Sequence, residues 1–497
     1  MNITDNAHDT PLSSEAEEEL SPHLFGAVYD GKTDCTDAIQ ACLDRRGVVR
    51  LRGNGTALIS RSLIIHGGTW LSLDPGFTIR LAENACCTML RTRWADQRYF
   101  EDRFPDFVTD PAFPRYVGPD DRPENWTLGA PERNIRVTGG TWDANGANNP
   151  RQTHLWGSYG FRGFLMGIVH VKGFVLRDTN LFDATTYFFD AALLSDFAID
   201  NIHLDMRERR LNQDGIHLEG ECYDGVISNI HGRTWDDMVA LNGGDSAYPK
   251  YPKGFAVPER GTGTNVLWRS FRQGGIRNIT IRNIHVSEGM TGFRAVRLLS
   301  TGKYPIDRIT IDGVYGTYAL DGILISAHHE ASAPYGTVIV RNVACTIKGD
   351  PETVDRCRGG LFWLENDRVR IDTLIVDGCR FRRTSRSGQF LYAKGSIRRL
   401  FLSNVDITVA EDSPKLGRGL LSCVGDDAAI ESARIANFSV TSEGPAPCDV
   451  AFQGNWRRVQ LANARIEADT GFDIASHEDV SVQTANVDLQ CSETGIP

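Results

Sequence analysis

The sequence lacks an apolar run that approaches the ~20 residues of a membrane helix, so no membrane partner is expected. It also lacks a run of lysines or arginines, and its formal net charge of −11 argues against nucleic-acid binding. The first twenty residues have neither the basic start nor the apolar core of a secretory signal. We therefore expect a cytoplasmic protein, or a secreted one whose leader has been removed.

The cysteines lack the CxxC pairs and spacings of metal sites. There are 11 of them, scattered singly apart from Cys86 and Cys87. An odd number without a secretory signal favours free buried thiols in a reducing compartment. A disulfide between Cys35 and Cys42 is the alternative.

Helical periodicity is almost absent after Leu43. The segment Phe25 to Leu51 contains an Asp-Gly turn and one short helical stretch, with Asp34 or Thr36 as its cap. The apolar face of this helix consists of Ala38, Ile39, Cys42 and Leu43.

Short alternating strands then recur along the chain. Examples are FAIDNIHLD, ITIRNIHVS, VIVRNVACT and LFLSNVDIT, each an apolar strand, a turn at Asn or Asp-Gly and another strand. The units lie roughly 20 to 36 residues apart, which is typical of solenoid repeats. The frame of a leucine-rich repeat and the blade marks of a propeller are both missing. We predict an all-β fold, a right-handed parallel β-helix with a short N-terminal capping helix.

The predicted domain organisation is simple. Residues 1–22 form a flexible acidic leader, and residues 23–497 form a single β-helix domain. Two insertions rich in Pro, Gly or aromatic residues, near 91–132 and 243–275, are expected to form loops at the rim of a groove.

Two segments share the frame D-x-(I/V)-x-L-x-G. They are Asp214–Gly220 (DGIHLEG) and Asp237–Gly243 (DMVALNG). If the apolar positions point into the core in register, Asp214 lies one strand spacing, ~4.8 Å, from Asp237, with Asp236 beside them. His217 and Glu219 then point outward, next to Ala240 and Asn242.

The frame recurs more loosely at two later positions, which begin with Arg294 and Asp321. This register sets Arg294 over the aspartates and Arg297 over His217. The column then consists of Asp214, Asp237, Arg294 and Asp321, in that order. Asp-Gly is a common turn, so turn chemistry is the alternative interpretation of Asp214 or Asp321 taken alone. A solvated turn is the alternative for Asp236-Asp237.

Glycosidic bond cleavage needs a proton donor for the leaving oxygen and a carboxylate that activates water or attacks. Crowded aspartates supply both, because their mutual repulsion holds one proton on the cluster while the others stay ionised. We expect Asp214, Asp236 and Asp237 to be catalytic, without a metal or cofactor.

The motifs Asn212-Gln213-Asp214-Gly215 and Asp236-Asp237 resemble the N-x-D and D-D motifs of the polygalacturonase-like glycoside hydrolases (family 28). The Phe25 to Leu51 segment is similar to the cap of the wider pectate-lyase-like β-helix superfamily. The resemblance implies an inverting hydrolase in which Asp236 is the general acid. It also implies that Asp214 and Asp237 hold and deprotonate the attacking water, and that Asn212 helps to orient them.

The sequence departs from that family at two places. The Gly-His-Gly segment after the D-D motif is absent, and His217 or His285 is the candidate substitute. The family's Arg-x-Lys strand is replaced by Ala295-Val296-Arg297, preceded by Arg294, so the grip on a sugar carboxylate is incomplete. The resemblance therefore supports the reaction better than it supports a particular sugar.

We expect a carbohydrate substrate and no nucleic-acid partner. The predicted substrate-binding residues are Asn212, His217, Glu219, Asn242, Asp245, Arg294 and Arg297. Aromatic side chains suited to stacking on sugars, or simply to packing, are Trp142, Trp156, Tyr159, Trp235, Tyr248 and Tyr251.

Two other functions fit the same residues. A polysaccharide lyase or epimerase would hold Ca²⁺ with the aspartates and use Arg294 or Arg297 near the α-proton of a uronate. A non-catalytic glycan-binding β-helix would use the acidic column only as a ligand surface.

Overall fold

The computed structural model describes most of the chain. The described residues are 19–93, 130–151, 161, 163–243, 274–300, 304–327, 333–348, 359–384, 388–411, 413, 419–444, 448–474 and 480–491. Nearly all of each predicted insertion, and residues 1–18 of the predicted leader, lie outside these ranges.

The described residues form mainly strands. The first strands are β1 (Glu19–Leu20), β2 (Asp30–Asp34), β3 (Gly47–Leu51), β4 (Thr56–Ile59), β5 (Leu63–Ile64), β6 (Thr69–Leu73), β7 (Thr78–Leu81), β8 (Leu90–Arg91), β9 (Glu132–Thr138) and β10 (Thr141–Asp143). The next are β11 (Met166–Phe182), β12 (Phe189–Asp205), β13 (Ile216–Gly232), β14 (Asp237–Gly243), β15 (Ile276–Val286), β16 (Arg294–Ser300), β17 (Ile306–Tyr318), β18 (Ile323–Ala327) and β19 (Ala333–Ile347). The last are β20 (Phe362–Leu364), β21 (Val369–Arg383), β22 (Leu391–Ala393), β23 (Ser396–Val409), β24 (Gly419–Cys423), β25 (Ile430–Ser442), β26 (Cys448–Gly454), β27 (Trp456–Ile474) and β28 (Ser481–Gln490).

Successive coils stack in parallel, and the fold is the predicted right-handed parallel β-helix. One stack contains β14, β16, β18, β20, β22 and β24, joined to the first part of β13; we call it the site sheet. A second stack continues from the later part of β13 through β15, β17, β19, β21 and β23. Apolar side chains at alternate positions fill the interior between the stacks, so one core runs through the described coils.

The predicted Asn turns are bends inside long strands. Asn201, Asn229 and Asn283 have φ angles of 54°, 54° and 51°, in the left-handed region that Asn tolerates better than most residues. The side-chain amide of Asn283 donates to Oδ1 of Asn229, 3.0 Å away, in the coil below. Each bend therefore changes the direction of the chain within a long strand, and the Asn283 side chain ties its bend to that of the coil before it.

The N-terminal cap matches its prediction. Helix α1 (Thr36–Arg45) buries the predicted apolar face. Its N-cap is Cys35 instead of the predicted Asp34 or Thr36, although Oδ1 of Asp34 accepts a hydrogen bond from the Thr36 backbone N–H. Cys35 and Cys42 are free and buried, so the disulfide alternative is wrong. Glu19 and Leu20, inside the predicted leader, already pair with β3.

Candidate active site

The structure brings the three predicted aspartates together at the start of two adjacent strands of the site sheet. Ile216 pairs with Val239, as the shared frame predicted. The backbone N–H of Gly215, which follows Asp214, donates to the backbone carbonyl of Asp237. One carboxylate oxygen from each of Asp214, Asp236 and Asp237 lies within 4.8 Å of the others. The predicted register is therefore confirmed.

Arg294 follows in the next coil, where it pairs with Asp237 in register. Its Nη1 atom lies 2.7 Å from Oδ1 of Asp236 and 3.2 Å from Oδ1 of Asp237. Its Nε atom lies 3.4 Å from Oδ2 of Asp321, the last acid of the predicted column. Arg297 is more distant, with Nη1 3.9 Å from Oδ2 of Asp237. One guanidinium thus ties three carboxylates together.

The cluster is buried, which the sequence did not predict. The side chains of Asp214 and Asp237 are 5% and 1% exposed, whereas that of Asp236 is 15% exposed. Burial, followed by the charges of Asp237 and Asp214, raises the pKa of Asp236 to about 8. Asp236 is therefore both the most accessible of the three and a group that holds its proton at neutral pH.

Two oxygens of the cluster are open acceptors. Oδ1 of Asp214 and Oδ2 of Asp237 are buried and accept no hydrogen bond from the residues that the structure describes. A buried carboxylate oxygen without a donor is costly, so each of these two oxygens could accept a hydrogen bond from a water molecule or a ligand hydroxyl.

His217 lies behind this cluster instead of on an open surface. Its ring is 1% exposed, its Nδ1 lies 2.6 Å from Oδ2 of Asp214 and its Nε2 lies 3.5 Å from Oε1 of Glu219. The side-chain amide of Asn242 is 3.2 Å from Nε2, and the Tyr187 ring stacks on the imidazole at 4.0 Å. His217 points away from the apolar core and lies beside Ala240, as the register predicted, but it is buried because side chains such as Tyr187 cover this face.

Sequence comparison gives no relative: no protein-family model and no curated protein matches the chain. Solved structures do match. A family 28 exopolygalacturonase of Yersinia enterocolitica aligns over 95% of this chain and 78% of its own, with a TM-score of 0.50 and 13% identity. The tailspike protein of E. coli bacteriophage HK620 aligns over 95% and 80%, with a TM-score of 0.50 and 10% identity. The surface adhesin PfbA of Streptococcus pneumoniae aligns over 96% and 99%, with a TM-score of 0.48 and 13% identity.

These matches agree with the fold of this chain, a right-handed parallel β-helix. The matched structures with a TM-score of 0.50 are named as an exopolygalacturonase and a tailspike, so the fold by itself does not assign a function. Any function of this chain depends on the side chains of the site.

Other predicted site residues are placed differently from the sequence expectation. Glu219 and Asn242 are buried at 0% and 3% exposure, and their role in substrate binding stays a prediction. Asn212 is half-buried in a turn with a left-handed φ of 62°. His285 is exposed on β15 in the second stack, away from the site sheet. Asp245 lies outside the described residues.

The predicted sugar-stacking aromatic residues differ in their burial. Trp142 is fully buried in the core, so it cannot stack on a sugar. Trp235 is half-buried, with the Arg209 guanidinium 3.9 Å from its ring centre and Phe293 at 5.8 Å. Trp156, Tyr159, Tyr248 and Tyr251 lie outside the described residues.

Sequence reasoning missed Asp190 and Tyr187. Asp190 pairs with His217 across β12 and β13, and Tyr187 covers the imidazole. The available signal was a carboxylate, Asp190, inside the apolar stretch YFFDAALL. Asp190 is in register with His217 and not with Asp214, so it does not belong to the column of acids that the shared frame predicts.

Two groups of side chains bring possible metal-ligand atoms within 4.8 Å: Asp214, Asp236 and Asp237; and Asp190, His217 and Glu219. The first does not fit Ca²⁺, because Arg294 already contacts Asp236 and Asp237 and would repel a divalent cation. In the second, carboxylates on both sides favour a protonated ring, which has no lone pair for a metal. We assign neither group as a metal site.

None of the described helices has the length and apolarity needed to cross a bilayer.

Proposed function

We propose that this protein is a glycoside hydrolase that cleaves a glycosidic bond by single displacement with inversion. In this proposal Asp236 donates a proton to the leaving oxygen. Asp214 and Asp237 hold a water molecule and take its proton as the water attacks the anomeric carbon. The observation that carries the proposal is the unequal environment of three clustered carboxylates.

The raised pKa of Asp236, about 8, supports its role as the acid, because burial and two neighbouring carboxylates keep it protonated at neutral pH. It is also the carboxyl group of the three with the largest exposed fraction, 15% of the side chain. A proton donor must touch the substrate, so accessibility and protonation agree on the same residue.

The open acceptors support the role of Asp214 and Asp237. Both oxygens, Oδ1 of Asp214 and Oδ2 of Asp237, are buried and lack a donor among the described residues. A water between them donates one hydrogen to each and keeps a lone pair for the sugar. Attack by this water inverts the anomeric centre.

The separation of the carboxylates does not by itself select inversion. Carboxyl groups in inverting enzymes are usually ~6.5–9.5 Å apart and in retaining enzymes ~5–5.5 Å apart. The nearest oxygens of Asp214, Asp236 and Asp237 lie within 4.8 Å. Inversion is proposed because two carboxylates share the water site, and because the D-D and N-x-D motifs resemble those of inverting enzymes.

Arg297 is proposed to bind the substrate. Its side chain is 20% exposed, and its Nη1 is 3.9 Å from Asp237, so the guanidinium borders the catalytic cluster. It can donate to a sugar hydroxyl or, bidentately, to a sugar carboxylate. Arg294 is proposed instead to fix Asp236 and Asp237, because its contacts to both are shorter.

A panel of neutral and uronic-acid polysaccharides tests the proposal, with new reducing ends and ultraviolet absorbance as the two readouts. We expect new reducing ends on at least one glycan, lost in Asp236→Asn and kept in the control Asp488→Asn, an exposed carboxylate on β28. Ultraviolet-absorbing unsaturated ends would indicate a lyase. Glycan binding without cleavage would contradict the proposal and favour a binding protein.

A further inference from the structure

His217 occupies a closed position between two carboxylates. Asp214 contacts Nδ1 at 2.6 Å, and Glu219 lies 3.5 Å from Nε2. The ring and Glu219 are 1% and 0% exposed, so substrate does not reach them in this arrangement. A role for His217 in the reaction must therefore pass through another residue.

The side chains that surround His217 come from β12, from β14 and from Tyr187, and they influence whether its ring is protonated. Asp190 pairs with it from β12, and on β14 the amide nitrogen of Asn242 lies 3.2 Å from Nε2. An imidazolium donates from Nε2, so it requires this amide to be turned so that Oδ1 accepts. Tyr187 lies flat against the ring at 4.0 Å. The cation Arg297 lies in the same register column, but Ala240 separates it from His217.

The carboxylates outweigh the effect of burial on the ring. Burial would lower the pKa of His217, but its contacts with Asp214 and Glu219 raise that pKa well above the ordinary 6.5. These contacts favour the imidazolium form of the ring, in which Nδ1–H donates to Oδ2 of Asp214, 2.6 Å away.

The same contact acts on Asp214. Burial, with a smaller contribution from Asp237, raises the pKa of Asp214, and the hydrogen bond and charge of His217 oppose that rise. A water-holding carboxylate must be ionised to accept a proton. His217 supplies the nearest positive charge, on the oxygen opposite the one that faces the water site.

We propose that His217 is a positioning residue: as an imidazolium it keeps Asp214 ionised and aimed at the water, and Glu219 keeps the imidazolium charged. This inference rests on the proposed function for its catalytic part. It replaces the expectation that His217 and Glu219 contact the substrate.

The charge of His217 can be measured without any substrate. Histidine labelled with ¹³C at the ε1 carbon gives one resonance per ring, and His217→Gln assigns the resonance of interest. We expect it to stay at the imidazolium position from pH 5.5 to 8. In Glu219→Gln it should titrate within that range, whereas in the control Glu221→Gln, two residues further along β13, it should not. A neutral ring in the wild type would overturn the inference.

The effect on Asp214 is read from the acidic limb of the pH profile of kcat/KM. In His217→Gln, which keeps a neutral donor, this limb should move upward by about one pH unit or more, because Asp214 loses its cation. A purely structural role would lower kcat/KM by the same factor at every pH, and that result would overturn the proposal. The resonance experiment decides the charge of His217 even if no glycan is cleaved, so the two failures are distinguishable.

Discussion

Nη1 of Arg294 lies 2.7 Å from Oδ1 of Asp236, closer than it lies to Oδ1 of Asp237 at 3.2 Å. The contact partly offsets the burial that raises the pKa of Asp236. It also fixes the side chain that we propose as proton donor. The residue that most constrains the acid is thus a cation from the following coil.

Replacing Arg294 by Met should destabilise the protein most at high pH. The change leaves Asp237 and Asp321 buried with less compensation, and breaking a buried ion pair costs about 3–5 kcal/mol. At pH 6 Asp236 is protonated, so less charge is left unpaired than at pH 9. Urea unfolding at both pH values measures the difference. An equal loss at both, or a loss as small as that in exposed Arg282→Met, contradicts this account.

Asp236→Asn should be rescued by a good leaving group. With the natural glycan we expect kcat/KM to fall by about 10²–10⁴-fold, the usual worth of a general acid. A nitrophenyl glycoside of the same sugar needs no proton on its leaving oxygen, so most of its turnover should remain. Asp214→Asn should lose both activities. If Asp236→Asn is equally impaired on both substrates, Asp236 is not the acid.

Activity on the natural glycan should decline above a pH of about 8, because the raised pKa of Asp236 places its deprotonation there. The raised pKa also predicts how the contribution of Asp236 to the free energy of unfolding changes with pH. Since the folded pKa lies above the unfolded value of 3.8, Asp236 favours folding at low pH, and this contribution is lost as pH rises to about 8. The unfolding free energy of Asp236→Asn, relative to the wild type, should therefore increase over that window. A constant difference would contradict the raised pKa.

The bends at Asn can be tested by a matched pair of variants at Asn283, where φ is 51°. In Asn283→Gly the backbone adopts the positive φ without strain, and the variant loses the hydrogen bond to Asn229, which is worth about 0.5–1.5 kcal/mol. Asn283→Ala should cost a further ~1–2 kcal/mol for the left-handed conformation. Equal stability of the two variants in urea unfolding would show that the backbone angle is unimportant.

The register of the site could be predicted from the sequence, because strand periodicity is two and the apolar positions of DGIHLEG and DMVALNG must both face the core. The same argument placed Arg294 over Asp237. It could not predict that His217 is buried. That depends on the size and direction of Tyr187, whose coil does not share the frame.

The aspartate roles depend on whether water attacks the sugar directly. Nuclear magnetic resonance of the first-formed product of a susceptible glycan identifies its anomer before mutarotation. The account predicts that the new reducing end has the configuration opposite to that of the cleaved bond, because Asp214 and Asp237 hold the attacking water. A product that retains the configuration, which requires a covalent glycosyl-enzyme intermediate, would contradict it.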